Sequence, residues 1–119
     1  LVEDAEALRL LVRELLENAG YTVLDAEAPD KALSLVEATP ARIHLLLTDM
    51  VMPRMNGQEL AHRITALKPE ARVVFMSGYS DQAMGDQSTL EPGAVFLQKP
   101  FTMDALLKTI RRALDAPQP

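Results

Sequence analysis

The sequence predicts one α/β domain in which a parallel sheet is covered by helices on both faces. Three observations carry that prediction. Short runs dense in Val, Leu, Ile and Phe alternate with segments of helical apolar spacing, the two kinds follow one another five times, and the connections between them are short. At 119 residues the chain has the size of one domain and can bury a core without disulfide or metal staples. Residues 1–115 read as that domain and residues 116–119 as a short tail.

Strands are expected at residues 1–2, 22–24, 43–48, 73–76 and 95–97, where apolar side chains run almost without interruption. In the first helix Leu8, Leu11, Val12, Leu15 and Leu16 make the apolar face, and Gly20 follows as a stop. Ala32, Leu33 and Val36 mark the second helix. Leu60, Ile64 and Leu67 mark the third, with Asn56 as its N-cap and Pro69 beyond its end. A fourth helix over 81–90 is weakly patterned and contains Gly85. The fifth starts after Thr102, a good N-cap, and buries Leu106, Leu107, Ile110 and Leu114. Right-handed crossovers between parallel strands leave few arrangements. The best of them is a flavodoxin-like, doubly wound five-stranded sheet in the order 2-1-3-4-5, with five helices.

Composition excludes several classes of function. With no cysteine there is no disulfide, thiolate metal site or thiol catalysis, in keeping with a reducing, cytoplasmic setting. The net charge of −5 and the lack of a Lys/Arg run argue against direct nucleic-acid binding. No apolar stretch approaches the roughly 20 residues of a membrane span, and no signal peptide is visible. The chain opens on Leu1, directly in a strand, and reads as a segment of a longer protein.

Ligands of such sheets bind beyond the carboxyl ends of the strands. Strand 1 ends in Glu3 and Asp4, strand 3 in Thr48 and Asp49, strand 4 in Ser77 and Gly78, and strand 5 in Gln98, Lys99 and Pro100. Three carboxylates, a hydroxyl and an ammonium are therefore expected at one sheet edge. At ~4 Å and an effective dielectric of ~20, each carboxylate pair repels by about 4 kcal/mol, so the cluster either raises a pKa or holds a cation. An all-oxygen donor set suits a hard cation, Mg²⁺ first and Mn²⁺ second. Asp4 and Asp49 would be direct ligands, with Glu3 acting through water. An aspartate beside such a cation can act as a nucleophile toward a phosphoryl group. The cation, Lys99 and Ser77 would then share the three phosphoryl oxygens, and Gly78 leaves room for the approach. Singly, each residue has an ordinary reading: a turn aspartate, acids at a helix start, a Ser-Gly turn, a solvated lysine. Only their joint placement on four strand ends favours chemistry. Met50, Met52, Met55 and Met76 read as packing, and His44 and His62 lack metal-ligand spacing.

The stretches Val2-Glu3-Asp4, Leu47 to Pro53 with Met55-Asn56-Gly57, Phe75 to Tyr79, and Lys99-Pro100-Phe101 resemble those of the response-regulator receiver family, over essentially the whole chain. The resemblance implies that Asp49 accepts a phosphoryl group from the phosphohistidine of a histidine kinase or histidine phosphotransfer protein. It implies that Glu3 and Asp4 form the acidic metal pair, and that the Val51 backbone carbonyl is a further ligand. Lys99 is then the family lysine, in a Lys99–Pro100 bond that is usually cis. Ser77 is the switch hydroxyl, and Phe96 stands in the place of the switch aromatic, without a hydroxyl. Val51 and Tyr79 lie where receivers tune phosphoryl lifetime. The stretches 75–80 and 97–107 are similar to receivers at the C-terminus of hybrid sensor histidine kinases, and a free-standing single-domain regulator is the alternative parent. The domain is expected to be a monomer or a weak homodimer, with Arg111, Arg112 and Asp115 on its last helix. Three other readings are weaker. A phosphatase of the haloacid-dehalogenase type wants an acid two residues after the nucleophile, where this chain has Val51. A flavin module would meet the acidic loop from Glu3 to Glu6, which repels phosphate. A pseudo-receiver would not need the full motif set.

Overall fold

The structure is a computed structural model, and it describes residues 1–52, 54–78 and 95–115. Among these residues the elements are α1 (Glu6–Asn18), α2 (Pro29–Ala38), β1 (Leu45–Asp49), α3 (Gly57–Leu67), β2 (Arg72–Ser77), β3 (Val95–Gln98) and α4 (Met103–Asp115). The expected helix over 81–90, Tyr79 and the tail 116–119 lie outside the described residues. None of the described helices is long and apolar enough to cross a membrane.

The sheet is parallel throughout. β1 pairs with β2 in the register Leu47 to Val74, and β2 pairs with β3 in the register Phe75 to Phe96. On the other side of β1, Val2 bridges in parallel to Thr48 and also to Ala26. Val2 N–H donates to Leu47 O, Asp49 N–H to Val2 O, Glu3 N–H to Ala26 O and Ala26 N–H to Leu1 O. The spatial order is therefore the segment at Ala26, the segment at Val2, then β1, β2 and β3. This is the flavodoxin-like order 2-1-3-4-5 that the alternation of elements predicts.

Side chains along a strand alternate between faces, and here both faces are covered. Leu46, Val73, Phe75 and Phe96 face α2 and α3, meeting Ala32, Val36, Leu60, Ala61 and Ile64. Leu47, Val74, Met76 and Leu97 face α1 and α4, meeting Val12, Leu16, Leu106, Ile110 and Ala113. This explains why the strands read as unbroken apolar runs. Met50, Met52 and Met76 are buried, in keeping with a packing role.

Three local expectations change. Residues 22–24, Ile43 and His44 are not in strands. They flank an apolar cavity of about 780 Å³ instead. Leu11 and Leu67 face solvent, 52% and 46% exposed. The buried positions of α1 are Arg9, Val12 and Leu16, a stripe rotated from the expected one. Ala61 takes the place beside Leu60 and Ile64 that Leu67 was expected to share.

The helix ends follow local chemistry. Asn56 Oδ1 accepts from Glu59 N–H at 2.8 Å, and Thr102 Oγ1 accepts from Ala105 N–H at 3.0 Å. Pro29 opens α2, and Gly20, at φ +100°, follows the end of α1. The start of α3 abuts the tip of β1: Gly57 N–H donates to Met50 O at 2.8 Å. A Cβ on Gly57 would stand 2.3 Å from the Asp49 carbonyl oxygen, which is main chain and cannot swing aside. Gly57→Ala is expected to cost about 1–3 kcal/mol in urea denaturation, the range for forced overpacking. A loss within ~0.5 kcal/mol, as for a neutral surface change, would contradict this close approach.

Candidate functional site

The parallel sheet delivers the carboxyl ends of its strands to one edge, and the candidate residues meet there. Glu3 follows Val2, which is held between Ala26 and Thr48. Asp49 is the last residue of β1 and Ser77 the last of β2, while Lys99 follows β3. Lys99 N–H donates to Ser77 O at 2.7 Å, which fixes the chain as it leaves the sheet, and the Lys99–Pro100 peptide is cis.

The Lys99 ammonium lies 2.7 Å from Glu3 Oε1 and 3.0 Å from Asp49 Oδ1. Glu3 is almost completely buried, and its other oxygen accepts from Ala5 N–H at 3.0 Å. Asp49 and Ser77 are also buried, whereas Asp4 faces solvent. Oxygens of Glu3, Asp4 and Asp49 lie within 4.8 Å of one another. The structure thus brings together Glu3, Asp4, Asp49 and Lys99, with Ser77 on the adjacent strand tip. Phe96 sits one strand further, partly buried, its ring 5.7 Å from that of Phe75. Val51 is 47% exposed just beyond β1. The loop it opens contains Arg54 at φ +75°, uncommon for a residue with a side chain.

The Lys99 ammonium contacts two of the three carboxylates, and the titration of each group reflects that deficit. Burial pushes Glu3 up, but hydrogen bonds from Lys99 and Ala5 N–H outweigh it and hold this carboxyl below its ordinary range. Asp4 is raised, chiefly by sharing a hydrogen bond with the Glu3 side chain, then by burial and the Glu3 charge. Asp49 is raised to about 6, first by burial and then by the nearby Glu3 charge, against the opposing pull of Lys99. Burial acts to lower Lys99, yet its contacts with Glu3 and Asp49 leave it raised, so it stays charged. The donor set fits a hard cation: all three ligating atoms are carboxylate oxygens, they are close together, and positive charge is in short supply.

The structure also shows a residue that the sequence reading did not single out. Arg9, on the buried stripe of α1, donates from Nη1 to Glu3 O at 3.0 Å and from Nε to Asp25 Oδ2 at 3.2 Å. Its signal in the sequence was an arginine at the spacing of Val12 and Leu16. Gly57, in the Met55-Asn56-Gly57 stretch of the resemblance, has a physical reason in its close approach to the Asp49 carbonyl.

A family model described as the response regulator receiver domain matches residues 1–111. The response regulator receiver protein CpdR of Brucella abortus is 35% identical over 98% of this chain and 95% of its own length. The sensor kinase CckA of the same organism is 31% identical over 97% of this chain, which spans only 12% of that kinase. The crystal structure of the receiver domain from the hybrid histidine kinase CckA superposes with a TM-score of 0.81 at 30% identity, covering 96% of this chain and 95% of that one.

Asn at position 49 keeps an acceptor for Lys99 but removes the crowded charge. An acid raised by folding destabilises the fold when ionised, fully above about pH 6 and not at all below about pH 4. Asp49→Asn is therefore expected to stabilise the metal-free chain by on the order of 2 kcal/mol near neutral pH. The gain should fade as pH falls through that window. Urea titrations at several pH values measure it, and an Asn variant less stable at neutral pH would contradict the charge deficit.

Proposed function

The chain belongs to the response regulator receiver domain family, the phospho-accepting domains of two-component signalling, and we propose on that premise that Asp49 is its phospho-acceptor. The single observation that carries the assignment is the contact of the Asp49 carboxylate with the Lys99 ammonium inside the three-acid cluster. Asp49 is buried within that cluster, and with a pKa of about 6 it is largely ionised at neutral pH. An ionised carboxylate is what a nucleophile requires.

In the proposed reaction an Asp49 carboxylate oxygen attacks the phosphorus of a phosphohistidine. The new O–P bond forms as the P–N bond breaks, and the imidazole leaves with the bonding pair. A later attack by water on the aspartyl phosphate returns Asp49 and releases phosphate. Lys99, 3.0 Å from Asp49, neutralises charge gathering on a phosphoryl oxygen, and it need not move far to do so. The Ser77 hydroxyl, at the adjacent strand tip, donates to a second oxygen.

A divalent cation, Mg²⁺ or Mn²⁺, when bound supplies charge neutralisation for a phosphoryl oxygen. Asp4 and Asp49 would hold it directly, Glu3 through water, and the Val51 carbonyl would complete the protein ligands. Glu3 suits the indirect role because Lys99 and Ala5 N–H already engage its two oxygens.

The donor in this reading is a histidine kinase or a histidine phosphotransfer protein, in the cytoplasm. Phosphorylation adds charge beside Lys99 and Ser77, and the readout passes through Ser77 and the aromatic ring of Phe96. Phe96 stacks at a tilt on Phe75 and has no hydroxyl, so its movement is governed by packing alone.

Incubation with Mg²⁺ and acetyl phosphate, followed by intact-mass measurement, tests the assignment. One added phosphoryl group is expected on the native chain, none on Asp49→Asn, and a much smaller fraction on Lys99→Met. An adduct that survives Asp49→Asn would overturn it.

A further inference from the structure

The geometry assigns Arg9 as the positioning residue of the acidic pair: its guanidinium locks the peptide that joins Glu3 to Asp4 and so aims Asp4 at the cation site. The inference rests on the cation-binding reading above.

Arg9 occupies a costly place. It is 9% exposed on the stripe of α1 that buries Val12 and Leu16 against the sheet. A charge there needs partners, and the fork has them on two segments. Nη1 donates to the Glu3 carbonyl at 3.0 Å, and Nε donates to Asp25 Oδ2 at 3.2 Å. The second oxygen of Asp25 is taken by Arg13 Nη1. Asp25 lies next to Ala26, whose carbonyl accepts from Glu3 N–H. One guanidinium therefore fastens α1 to two neighbouring strand tips.

Each polar group of Glu3 is then engaged. Its N–H bonds to Ala26 O, its carbonyl to Arg9, and its carboxylate to Ala5 N–H and Lys99. The carbonyl matters most for Asp4. The Glu3 C=O and the Asp4 N–H share one rigid peptide plane, so holding the oxygen sets the direction in which Asp4 leaves the strand. Asp4 itself is solvent-facing and is not held by burial.

The Arg9 charge is matched by Asp25 and does not itself help a cation bind. A positive side chain beside a cation site opposes the cation, so on electrostatics alone its removal strengthens binding. Positioning predicts the opposite sign. That difference separates the two roles.

The test is calorimetric titration of MgCl₂ into the native chain, Arg9→Met, Arg9→Lys and Arg13→Met, with folding of each confirmed by urea denaturation. Arg13→Met removes the same charge from the same Asp25 but leaves the Glu3 carbonyl bonded. Arg9→Met is expected to weaken Mg²⁺ binding about tenfold, the lower end for groups that orient metal ligands. Arg9→Lys, which keeps the charge but has one amine in place of the fork, should fall between, and it carries the test if Arg9→Met does not fold. Arg13→Met should bind as well as the native chain or better. In the metal-free proteins, amide exchange at Asp4 and Ala5 should quicken in the Arg9 variants alone. Unchanged or tighter binding in both Arg9 variants overturns the inference while leaving the cation site intact. No Mg²⁺ binding by the native chain overturns both.

Discussion

The Lys99 ammonium, held between the carboxylates of Glu3 and Asp49, is the interaction on which the site depends. Glu3 and Lys99 are 96 residues apart in sequence, and only the strand order brings them together. The first strand tip must lie beside β1, and the end of β3 must curve back over β2, for one amine to reach both acids. The fold thus has a chemical signature at its edge: one ammonium bridging two acids of a three-acid cluster. Without that cation the repulsion within the cluster would go unopposed in a partly dry environment.

The same contact divides labour among the acids. Glu3 is buried and satisfied, engaged by Lys99 and by the Ala5 N–H at the head of α1, so its negative charge is tied to the scaffold. Asp49 has a weaker share of Lys99 and bears the cost of burial, which leaves it ionised at neutral pH yet short of positive charge. Asp4 is exposed, with room to approach a ligand. A site with an unmet demand for positive charge is less stable than the scaffold permits, and functional sites commonly trade stability in this way. The local rules that the chain breaks gather at this edge: a buried arginine, a left-handed Arg54, and a glycine pressed against a main-chain oxygen.

Much of this was legible in the sequence because it rests on local signals. Apolar runs located β1, β2 and β3, since strands buried on both faces need such residues at every position. Asn56, Thr102 and Pro29 act within a few residues of themselves, so the helix starts at Asn56 and Thr102 were readable. The convergence of Glu3, Asp4, Asp49 and Lys99 was readable too, because strand order dictates it once the parallel topology is granted. Other features depend on partners distant in the chain. Residues 22–24 have strand-like composition, but a strand is a property of a pair, and here the bridge to Val2 forms at Ala26. The choice between Leu11 and Arg9 as a buried position turns on the rotation of α1 against the sheet. Apolarity favoured Leu11, whereas the carbonyl of Glu3 and the carboxylate of Asp25 favoured Arg9. The contrast between a buried Glu3 and an exposed Asp4 depends on Lys99, 96 residues away, which engages the Glu3 carboxylate.

The central claim is that Asp49 sits in a charge-deficient pocket that a divalent cation completes. Carbon-detected NMR titration of the Asp49 carboxyl, first metal-free and then with saturating Mg²⁺, addresses it most directly. The account predicts a metal-free midpoint near about 6 that drops well below the ordinary aspartate value when Mg²⁺ is present. A metal-free midpoint near the ordinary ~3.9, unmoved by Mg²⁺, would contradict it.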